Sequence, residues 1–302
     1  MTFSIVAYDL AAKEWGVATQ SKFLAVGAVV PWASANAGAI ATQSYANTAF
    51  GPRGLEMLAQ GMSATETLDR LLAADEGREQ RQVGIVDREG RAATFTGSTC
   101  HVWAGSLSGS TFAVQGNILV SAATVEALAS GFESARGELA DRLVAALLAG
   151  QKAGGDRRGQ QSAAVLIVRE KGGYAGFNDR YLDLRVDDAA HPIERLQDLV
   201  ELHHLYFGKP VPESLVPIDK KIARELQRIA TQAQQYHGLL TGEYDAATRA
   251  AVEGLIGIEN LEDRWPFGSE KIDPVALKFL QKAYPAKKPR GRAGVKKTTR
   301  KK

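Results

Sequence analysis

The chain opens with short apolar segments separated by polar breaks, a pattern typical of β-strands. FSIVAY (3–8) and WGVATQS (15–21) flank the polar stretch DLAAKE and predict a β-hairpin. The same pattern predicts further strands at 23–30, 38–46, 82–87, 91–97, 112–120, 162–170 and 181–187. Several of these segments are almost wholly apolar, which is typical of sheets that are buried on both faces.

Helical periodicity appears between these groups of strands. Ser63 and Glu66 have the spacing of a capping box, and Leu68, Leu71 and Leu72 supply the apolar face of the helix that follows. Further helices are predicted at 121–133, 137–150 and 192–206. The order of strands and helices is not a strict alternation, so a doubly wound parallel sheet is disfavoured. We expect an α+β fold in which two antiparallel sheets pack together with helices outside both.

Proline positions divide the chain. Pro210, Pro212 and Pro217 mark a linker, and the segment after them has helical apolar faces, with Asp245 as the N-cap of one helix. The predicted organisation is a large domain at 1–206, a linker at 207–217, a small all-α module at 218–285 and a basic tail at 286–302.

The net charge of +3 comes from the tail. Nine of the 37 Lys and Arg residues lie at 286–302, which leaves 28 basic against 34 acidic residues in the body. We expect a solvated, disordered tail. Non-specific contact with a polyanion is the alternative, because clustered cations release counterions on binding. The tail has no aromatic residue, so base stacking is not supported.

The chain has one cysteine, Cys100, and no apolar run of the ~18 residues that a membrane span needs. The N-terminus lacks the basic flank of a signal peptide, so we expect a cytoplasmic protein that does not enter a membrane. His203 and His204 are adjacent on a predicted helix and point about 100° apart, so they do not suit one metal ion. No metal and no cofactor are expected.

Thr2 is the first candidate for catalysis, since Thr at this position permits removal of Met1. Thr2 would then carry a hydroxyl and a free α-amine, whose unperturbed pKa of about 7.7 to 8.0 suits a base near neutrality. In the predicted hairpin, the end of the second strand lies near Thr2, and Lys22 is expected to lower the pKa of the amine there.

A second candidate constellation is GGDRRGQQS (154–162), between a helix and a buried strand. Asp156 is expected to orient an amine, and Arg157 or Arg158 to hold a carboxylate. The Gly116 backbone amide and the Asn117 side chain are candidate oxyanion donors. The remaining candidate substrate-binding residues are Ser21, Gln43, Ser44, Gln161, Asn178 and Asp179. Each has a structural alternative: surface charge, a turn or a strand-end hydrogen bond.

Many segments of the chain resemble the domain of unknown function 1028 family. The matching segments are Thr2–Asp9, Gly16–Trp32, Ala41–Gln43, Tyr45–Asn47, Gly51–Leu55, Val114–Leu119, Gly154–Ser162 and Asn178–Asp188. The resemblance covers about 1–206 and implies the four-layer αββα sandwich of N-terminal-nucleophile (Ntn) hydrolases. It implies amide hydrolysis only weakly, because fold does not determine function.

A second resemblance covers about 218–256. The segment Tyr236–Val252 is similar to the core of a peptidoglycan-binding-like domain, and GEYDAAT (242–248) is its best part. It implies a cell-wall fragment as ligand, and a plain three-helix bundle that dimerises is the alternative.

The leading hypothesis is an amidohydrolase that acts on a small amide or peptide-like substrate through Thr2, in a protein expected to be a homo-oligomer. The rival is an inactive Ntn-fold binding or scaffold protein that carries a ligand-recognition module.

Overall fold

The first part of the molecule is a mixed α/β unit. The structure is a computed structural model that describes residues 2–286, and its internal contacts separate two compact units between Glu201 and Leu202. The strands of the first unit are β1 (Thr2–Asp9), β2 (Glu14–Ser21), β3 (Pro31–Ser34), β4 (Gly38–Ser44), β5 (Arg81–Asp87), β6 (Ala92–Thr96), β7 (Gly105–Ser108), β8 (Phe112–Asn117), β9 (Ser162–Val168) and β10 (Arg180–Val186). The helices that begin within it are α1 (Phe50–Ala59), α2 (Ala64–Ala73), α3 (Ala123–Ser134), α4 (Leu139–Lys152) and α5 (Pro192–Phe207).

The strands form two antiparallel sheets. One has the order β10-β9-β2-β1-β8-β7, and the other has the order β3-β4-β5-β6. The predicted hairpin of β1 and β2 is confirmed, and its register pairs Thr2 with Ser21. Antiparallel pairing throughout these two sheets agrees with the exclusion of a doubly wound parallel fold.

Three apolar cores hold the first unit together. One core lies between the six-stranded sheet and helices α3 to α5, with Ile5 and Leu143 among its members. A second lies between the two sheets and includes Val6 and Ala41. A third joins the four-stranded sheet to α1 and α2 through Ile40 and Leu58. Both faces of each sheet are therefore covered, which explains the almost wholly apolar strands.

Strand β1 divides its side chains between two of these cores. Phe3, Ile5 and Ala7 face the helices, and Val6 and Tyr8 face the other sheet. Because side chains alternate along a strand, Thr2 and Ser4 share the face of Val6 and Tyr8. The Thr2 side chain thus points between the sheets, at one end of the sandwich.

The strand predicted at 23–30 is wrong. Phe23 and Leu24 form an exposed turn after β2, and a short 3₁₀ segment follows at Val26–Ala28. Ala25 has a left-handed backbone with φ of 52°, which ends the extended conformation. Val26 and Val30 are buried between the sheets, and this burial explains the apolar run without a strand.

Helix α1 has no counterpart among the predicted helices, because Gly51, Pro52 and Gly54 weaken its helical signal. The two glycines allow the helix to approach the sheet closely. A Cβ atom at Gly51 would lie 2.1 Å from the Trp32 ring, and one at Gly54 would lie 2.4 Å from Ile40. Tertiary packing therefore outweighs local propensity in this helix.

The predicted capping box of α2 is confirmed. The Ser63 hydroxyl accepts a hydrogen bond from the Glu66 amide at 3.3 Å, and the Ser63 amide donates to the Glu66 carboxylate at 2.9 Å. The predicted N-cap Asp245 is also confirmed, because its carboxylate accepts from the Thr248 amide at 2.8 Å.

The second unit is mainly helical. It contains α6 (Lys220–Gln232), α7 (Ala246–Ile258), α8 (Pro274–Ala283) and a short antiparallel pair, β11 (Val216–Pro217) with β12 (Lys271–Ile272). Its core includes Leu226, Leu255 and Trp265. The helical prediction is confirmed, while the strand pair was not anticipated because two-residue strands leave no periodic pattern.

Two predictions concern membranes and the tail. Among residues 2–286, no helix is both long and apolar enough to cross a membrane. Apart from Ala286, the predicted basic tail at 286–302 lies outside the described residues, and so does Met1.

Candidate functional site

Thr2 lies at the start of β1, between the ends of two neighbouring strands. It pairs with Ser21 at the end of β2 and with Asn117 at the end of β8. The Thr2 and Ser21 hydroxyl oxygens are 3.1 Å apart, and only 7% of Thr2 is exposed. The two hydroxyls therefore share a hydrogen bond at the end of the space between the sheets.

Buried amide side chains surround Thr2. The Gln43 amide nitrogen donates to the Thr2 carbonyl at 3.2 Å, and the Asn117 amide nitrogen lies 3.5 Å from the same oxygen. Both nitrogens also donate to the Gln82 side-chain oxygen, at 2.8 Å and 2.9 Å. We call Ser4, Gln43, Gln82, Gln115 and Asn117 the amide cluster.

The amide cluster links the two sheets. The Gln82 amide nitrogen, from the four-stranded sheet, donates to the Gly116 carbonyl of β8 at 2.8 Å. The Ser4 hydroxyl, from the six-stranded sheet, donates to the Gln43 side-chain oxygen at 2.6 Å and accepts from Gln115 at 2.6 Å. These polar groups take the place of apolar packing at this end of the sandwich.

Glycine makes room for one member of the cluster. A Cβ atom at Gly84 would lie 2.2 Å from the Gln115 side-chain oxygen. That oxygen is buried and has no hydrogen-bond partner within the chain.

The register places Ser21, rather than Lys22, beside Thr2. The Lys22 ammonium donates to the Gln160 carbonyl at 3.2 Å, and the Lys22 side chain is exposed. Gly116 pairs on both sides, with Phe3 and Gly105, so its backbone belongs to the sheet. Of the residues predicted for catalysis, the structure brings Thr2 and Asn117 into direct contact.

Asp156 fixes the glycine-rich loop to the end of β2. Its side chain is fully buried, and it accepts hydrogen bonds from the Lys22 amide at 2.9 Å and the Arg158 amide at 2.8 Å. Arg157 donates from its amide to the Ile118 carbonyl at 3.3 Å and from its guanidinium to the Leu119 carbonyl at 3.2 Å. The loop thus lies against the ends of the two strands that flank β1.

Two predicted substrate-binding residues, Gln161 and Ser44, lie at the same edge of the sandwich as Thr2. The Gln161 amide donates to the Ser21 carbonyl at 3.1 Å, and its side chain donates to Asp188. Ser44 is the last residue of β4, directly after Gln43, and has a left-handed backbone with φ of 72°.

Asn178 and Asp179 lie at the opposite edge. They form the turn between β9 and β10, where the Asp179 carboxylate accepts from the Lys171 amide at 2.9 Å. Strand β9 begins beside Ser21 and ends beside Trp15, so about 20 Å of strand separates this turn from Thr2. The structure does not bring these two residues to the Thr2 site.

An ion pair holds the loop after β4. The Arg81 guanidinium donates to the Asp75 carboxylate at 2.8 Å and to the Tyr45 carbonyl at 2.6 Å. The hydrogen bond from Arg81, together with others from Asn47 and Gly77, lowers the pKa of Asp75 to about 2. The carboxylate therefore stays ionised and keeps this loop in place at neutral pH.

The comparisons with known proteins agree with this fold. A family model described as "Family of unknown function (DUF1028)" matches residues 2–196, well over half of the chain. The chain belongs to this family. A second model, described as "Putative peptidoglycan binding domain", matches residues 206–280. The two resemblances inferred from sequence motifs are therefore confirmed.

A solved structure of the DUF1028 family is similar to the chain. The crystal structure of protein SPO2555 from Silicibacter pomeroyi is 30% identical to it, with a TM-score of 0.62. The similarity covers 67% of this chain and 89% of the other. None of the curated proteins matches the chain.

In this DUF1028 protein, the peptidoglycan-binding-like domain presents a rigid loop between α6 and α7. The fully buried Gln227 accepts from the Gly242 amide at 2.9 Å and donates to the Glu243 carbonyl at 3.0 Å and the Thr248 hydroxyl at 2.9 Å. Leu239 nevertheless stands 82% exposed at the tip of this loop.

Sequence reasoning missed Ser4, Gln82 and Gln115 in the DUF1028 domain. Each is a polar residue in a largely apolar strand, and this was the signal that could have found them. Gln82 lies on a different sheet from Ser4 and Gln115, so its proximity to them follows only from the packing of one sheet on the other. Within residues 2–286, no three His, Cys, Asp or Glu side chains are placed to hold a metal ion.

Proposed function

We propose that the first unit is an Ntn-hydrolase sandwich and that Thr2, after removal of Met1, is the nucleophile of an amidohydrolase. The observation that supports this best is the position of the Thr2 hydroxyl, which points between the sheets, is nearly buried and contacts Ser21. The order of layers agrees with the sandwich that the family resemblance implies. The amide cluster supplies polar groups where a polar substrate would react.

In the proposed reaction, the Thr2 α-amine takes the proton of the Thr2 hydroxyl. The hydroxyl oxygen attacks the substrate carbonyl, and Asn117, whose amide nitrogen lies beside the Thr2 backbone, stabilises the oxyanion. Collapse of the tetrahedral intermediate breaks the C–N bond, and the leaving amine takes the proton from the α-ammonium group. Water then hydrolyses the ester on Thr2 and releases the acid.

The other predicted residues have supporting roles in this proposal. Ser21 orients the Thr2 hydroxyl, and the glycine-rich loop with Asp156 and Arg157 forms the substrate-binding side of the site. Lys22 contributes positive charge from the rim, which favours the neutral form of the amine. The Gly116 amide donates to the oxyanion only if the end of β8 separates from its neighbouring strands.

The test is trapping of an acyl-enzyme on Thr2. Wild-type protein is incubated with activated amides and esters and then analysed by intact mass and by the mass of its N-terminal peptide. We expect Met1 to be absent and the acyl group to lie on Thr2. Thr2→Ser should retain part of the rate and Thr2→Ala should abolish it, whereas Thr65→Ala, on the exposed face of α2, should have no effect. Full hydrolysis by Thr2→Ala would overturn the mechanism, and retention of Met1 would favour the inactive scaffold.

For the second domain, we propose a cell-wall fragment as ligand. The family match and the exposed tip at Leu239 support this proposal. Full-length protein should bind solubilised peptidoglycan fragments in calorimetry, and Leu239→Ala should weaken binding about tenfold. Ile258→Ala, at an exposed position of α7, is the matched control. Equal binding by both variants would contradict this assignment.

A further inference from the structure

Exposed apolar side chains are concentrated at the edge of the sandwich that holds Thr2. Of the nine large apolar side chains exposed in residues 2–201, five lie in loops that follow strand ends at this edge. We call these five the apolar rim: Phe23, Leu24, Tyr45, Val102 and Val120. Single exposed apolar residues are common on protein surfaces, but a group at one edge is typical of a binding site.

Each rim residue is close along the chain to a residue of the site. Tyr45 comes two residues after Gln43, which contacts the Thr2 carbonyl. Val102 lies between His101 and Trp103, whose carbonyls accept from the Ile118 and Leu119 amides at 2.9 Å, directly after Asn117. The apolar rim therefore lies at the same edge as Thr2 and does not form a separate surface.

The part of the rim formed by Tyr45 and Val102 is held in place. The Tyr45 amide donates to the Gln80 carbonyl at 3.3 Å, and its carbonyl accepts from Arg81. The Tyr45 ring also packs against the His101 ring, with centroids 5.9 Å apart. Tyr45 is nevertheless 57% exposed and Val102 is 74% exposed. These side chains thus form a fixed apolar wall that faces solvent.

Basic side chains lie at the same edge. Lys22 follows Ser21, and Arg157 is bonded to the Ile118 and Leu119 carbonyls. The one carboxylate of this loop, Asp156, is buried and accepts hydrogen bonds from backbone amides. A ligand at this edge therefore meets exposed apolar side chains and basic groups, and also the exposed Asp188 carboxylate that accepts from Gln161.

We propose that the substrate is an N-acyl amino acid, or a short peptide of the same chemistry, whose apolar acyl group lies against Tyr45 and Val102 and whose carboxylate faces Lys22 and Arg157. The inference rests on the proposed amidohydrolase function, for which it names the substrate class. The carboxylate belongs to the amine half, so the acyl half is the part that remains on Thr2. Attack forms the Thr2 ester and breaks the C–N bond, the amino acid leaves with the proton, and water releases the fatty or aryl acid.

The experiment separates binding from hydrolysis. Binding of N-acetylglycine, N-phenylacetylglycine, N-octanoylglycine and uncharged N-octanoylglycinamide is measured by calorimetry with full-length Thr2→Ala protein, and their hydrolysis is measured with wild-type protein. Each methylene group that is buried on binding lowers the Kd about fourfold. We expect the octanoyl compound to bind at least 50-fold more tightly than the acetyl compound, and loss of the carboxylate to weaken binding about tenfold.

Two rim variants have a matched control. Tyr45→Ala and Val102→Ser, each combined with Thr2→Ala, should reduce the preference for the octanoyl group about tenfold. Tyr174→Ala should leave it unchanged, because Tyr174 is an exposed aromatic residue in the loop at the opposite edge. The hydrogen bonds that hold Tyr45 come from its backbone, so these bonds persist in the alanine variant.

The outcomes distinguish the two proposals. Acyl-dependent binding that the rim variants reduce, together with hydrolysis, supports both. The same binding without hydrolysis by wild-type protein overturns the amidohydrolase but supports the rim as the recognition site. Hydrolysis with no preference among acyl groups, or with a preference that Tyr45→Ala and Val102→Ser leave intact, overturns the inference and leaves the amidohydrolase standing. If the protein binds none of the compounds and hydrolyses none of them, both proposals are overturned.

Discussion

Replacement of Gln82 by methionine tests the importance of the amide cluster. Methionine keeps the length of the side chain and deletes its amide. Gln82 is fully buried, and its oxygen accepts from Gln43 at 2.8 Å and from Asn117 at 2.9 Å. Its nitrogen donates to the Gly116 carbonyl at 2.8 Å and the Thr96 hydroxyl at 2.9 Å. It also donates to the Gly105 carbonyl at 3.2 Å, so the substitution removes hydrogen bonds to five groups in or near the interior.

The magnitude follows from the groups left behind. The amide nitrogens of Gln43 and Asn117 lose their shortest contacts. They keep longer ones to the Thr2 carbonyl, at 3.2 Å and 3.5 Å, and Gln43 keeps one to the Gln115 carbonyl at 3.5 Å. A buried donor without a partner costs about 1–3 kcal/mol. Gly116 retains its strand pairing, so removal of the hydrogen bond from Gln82 costs less free energy there. We expect Gln82→Met to lower the free energy of unfolding of the first unit by about 2–5 kcal/mol.

The assay is urea denaturation followed by tryptophan fluorescence. Trp15 lies in the core between the sheets and reports on the first unit. At an unchanged m-value, the loss appears as a lower midpoint concentration of urea. Gln60→Met, at an exposed position after α1, is the matched control and should change stability by less than about 0.5 kcal/mol. A Gln82→Met protein as stable as the control would refute the view that these bonds hold the sheets together.

Three further predictions concern other parts of the chain. The hydrogen bond from Arg81 lowers the pKa of Asp75 to about 2. The stabilising contribution of this carboxylate is therefore complete above about pH 4 and is lost as the pH falls towards 2. In acid denaturation, Asp75→Asn should flatten the fall in stability between these pH values. Gly51→Ala should lower the stability of the first unit by about 1–3 kcal/mol in urea denaturation, because the new methyl group meets the Trp32 ring and overpacking outweighs the gain in helix propensity. Gln227→Met should destabilise the second unit by about 2–4 kcal/mol in thermal denaturation, because four groups lose a buried amide partner.

Local sequence signals predicted much of the fold correctly. The β1–β2 hairpin follows from two apolar runs and a polar break, and it already brings the end of β2 to Thr2. The capping box at Ser63 follows from residue spacing alone. Apolar content by itself was misleading at 23–30, because burial between the sheets does not require strand geometry.

The candidate site could be predicted only in part. Thr2 was found from its position after Met1 and Asn117 from its amide side chain, and their contact follows from the pairing of β1 with β8. Gln82 was missed because its contacts depend on how the second sheet packs on the first, which no local pattern encodes. Lys22 was placed close to Thr2 from the hairpin alone, and the observed register sets Ser21 opposite Thr2 with Lys22 one residue beyond the strand.

The contrast between the two ends of the space between the sheets is itself an argument for function. At the far end, the positions of β1 that face the other sheet hold Val6 and Tyr8, which pack against apolar neighbours. At the near end, the same face holds Thr2 and Ser4 and meets buried amides. Burial of an amide is costly unless every bond is made, and apolar residues of similar size would stabilise the fold at least as well. A chain selected for stability alone would continue the apolar pattern to the end of β1, so the polar end is where a ligand should be sought.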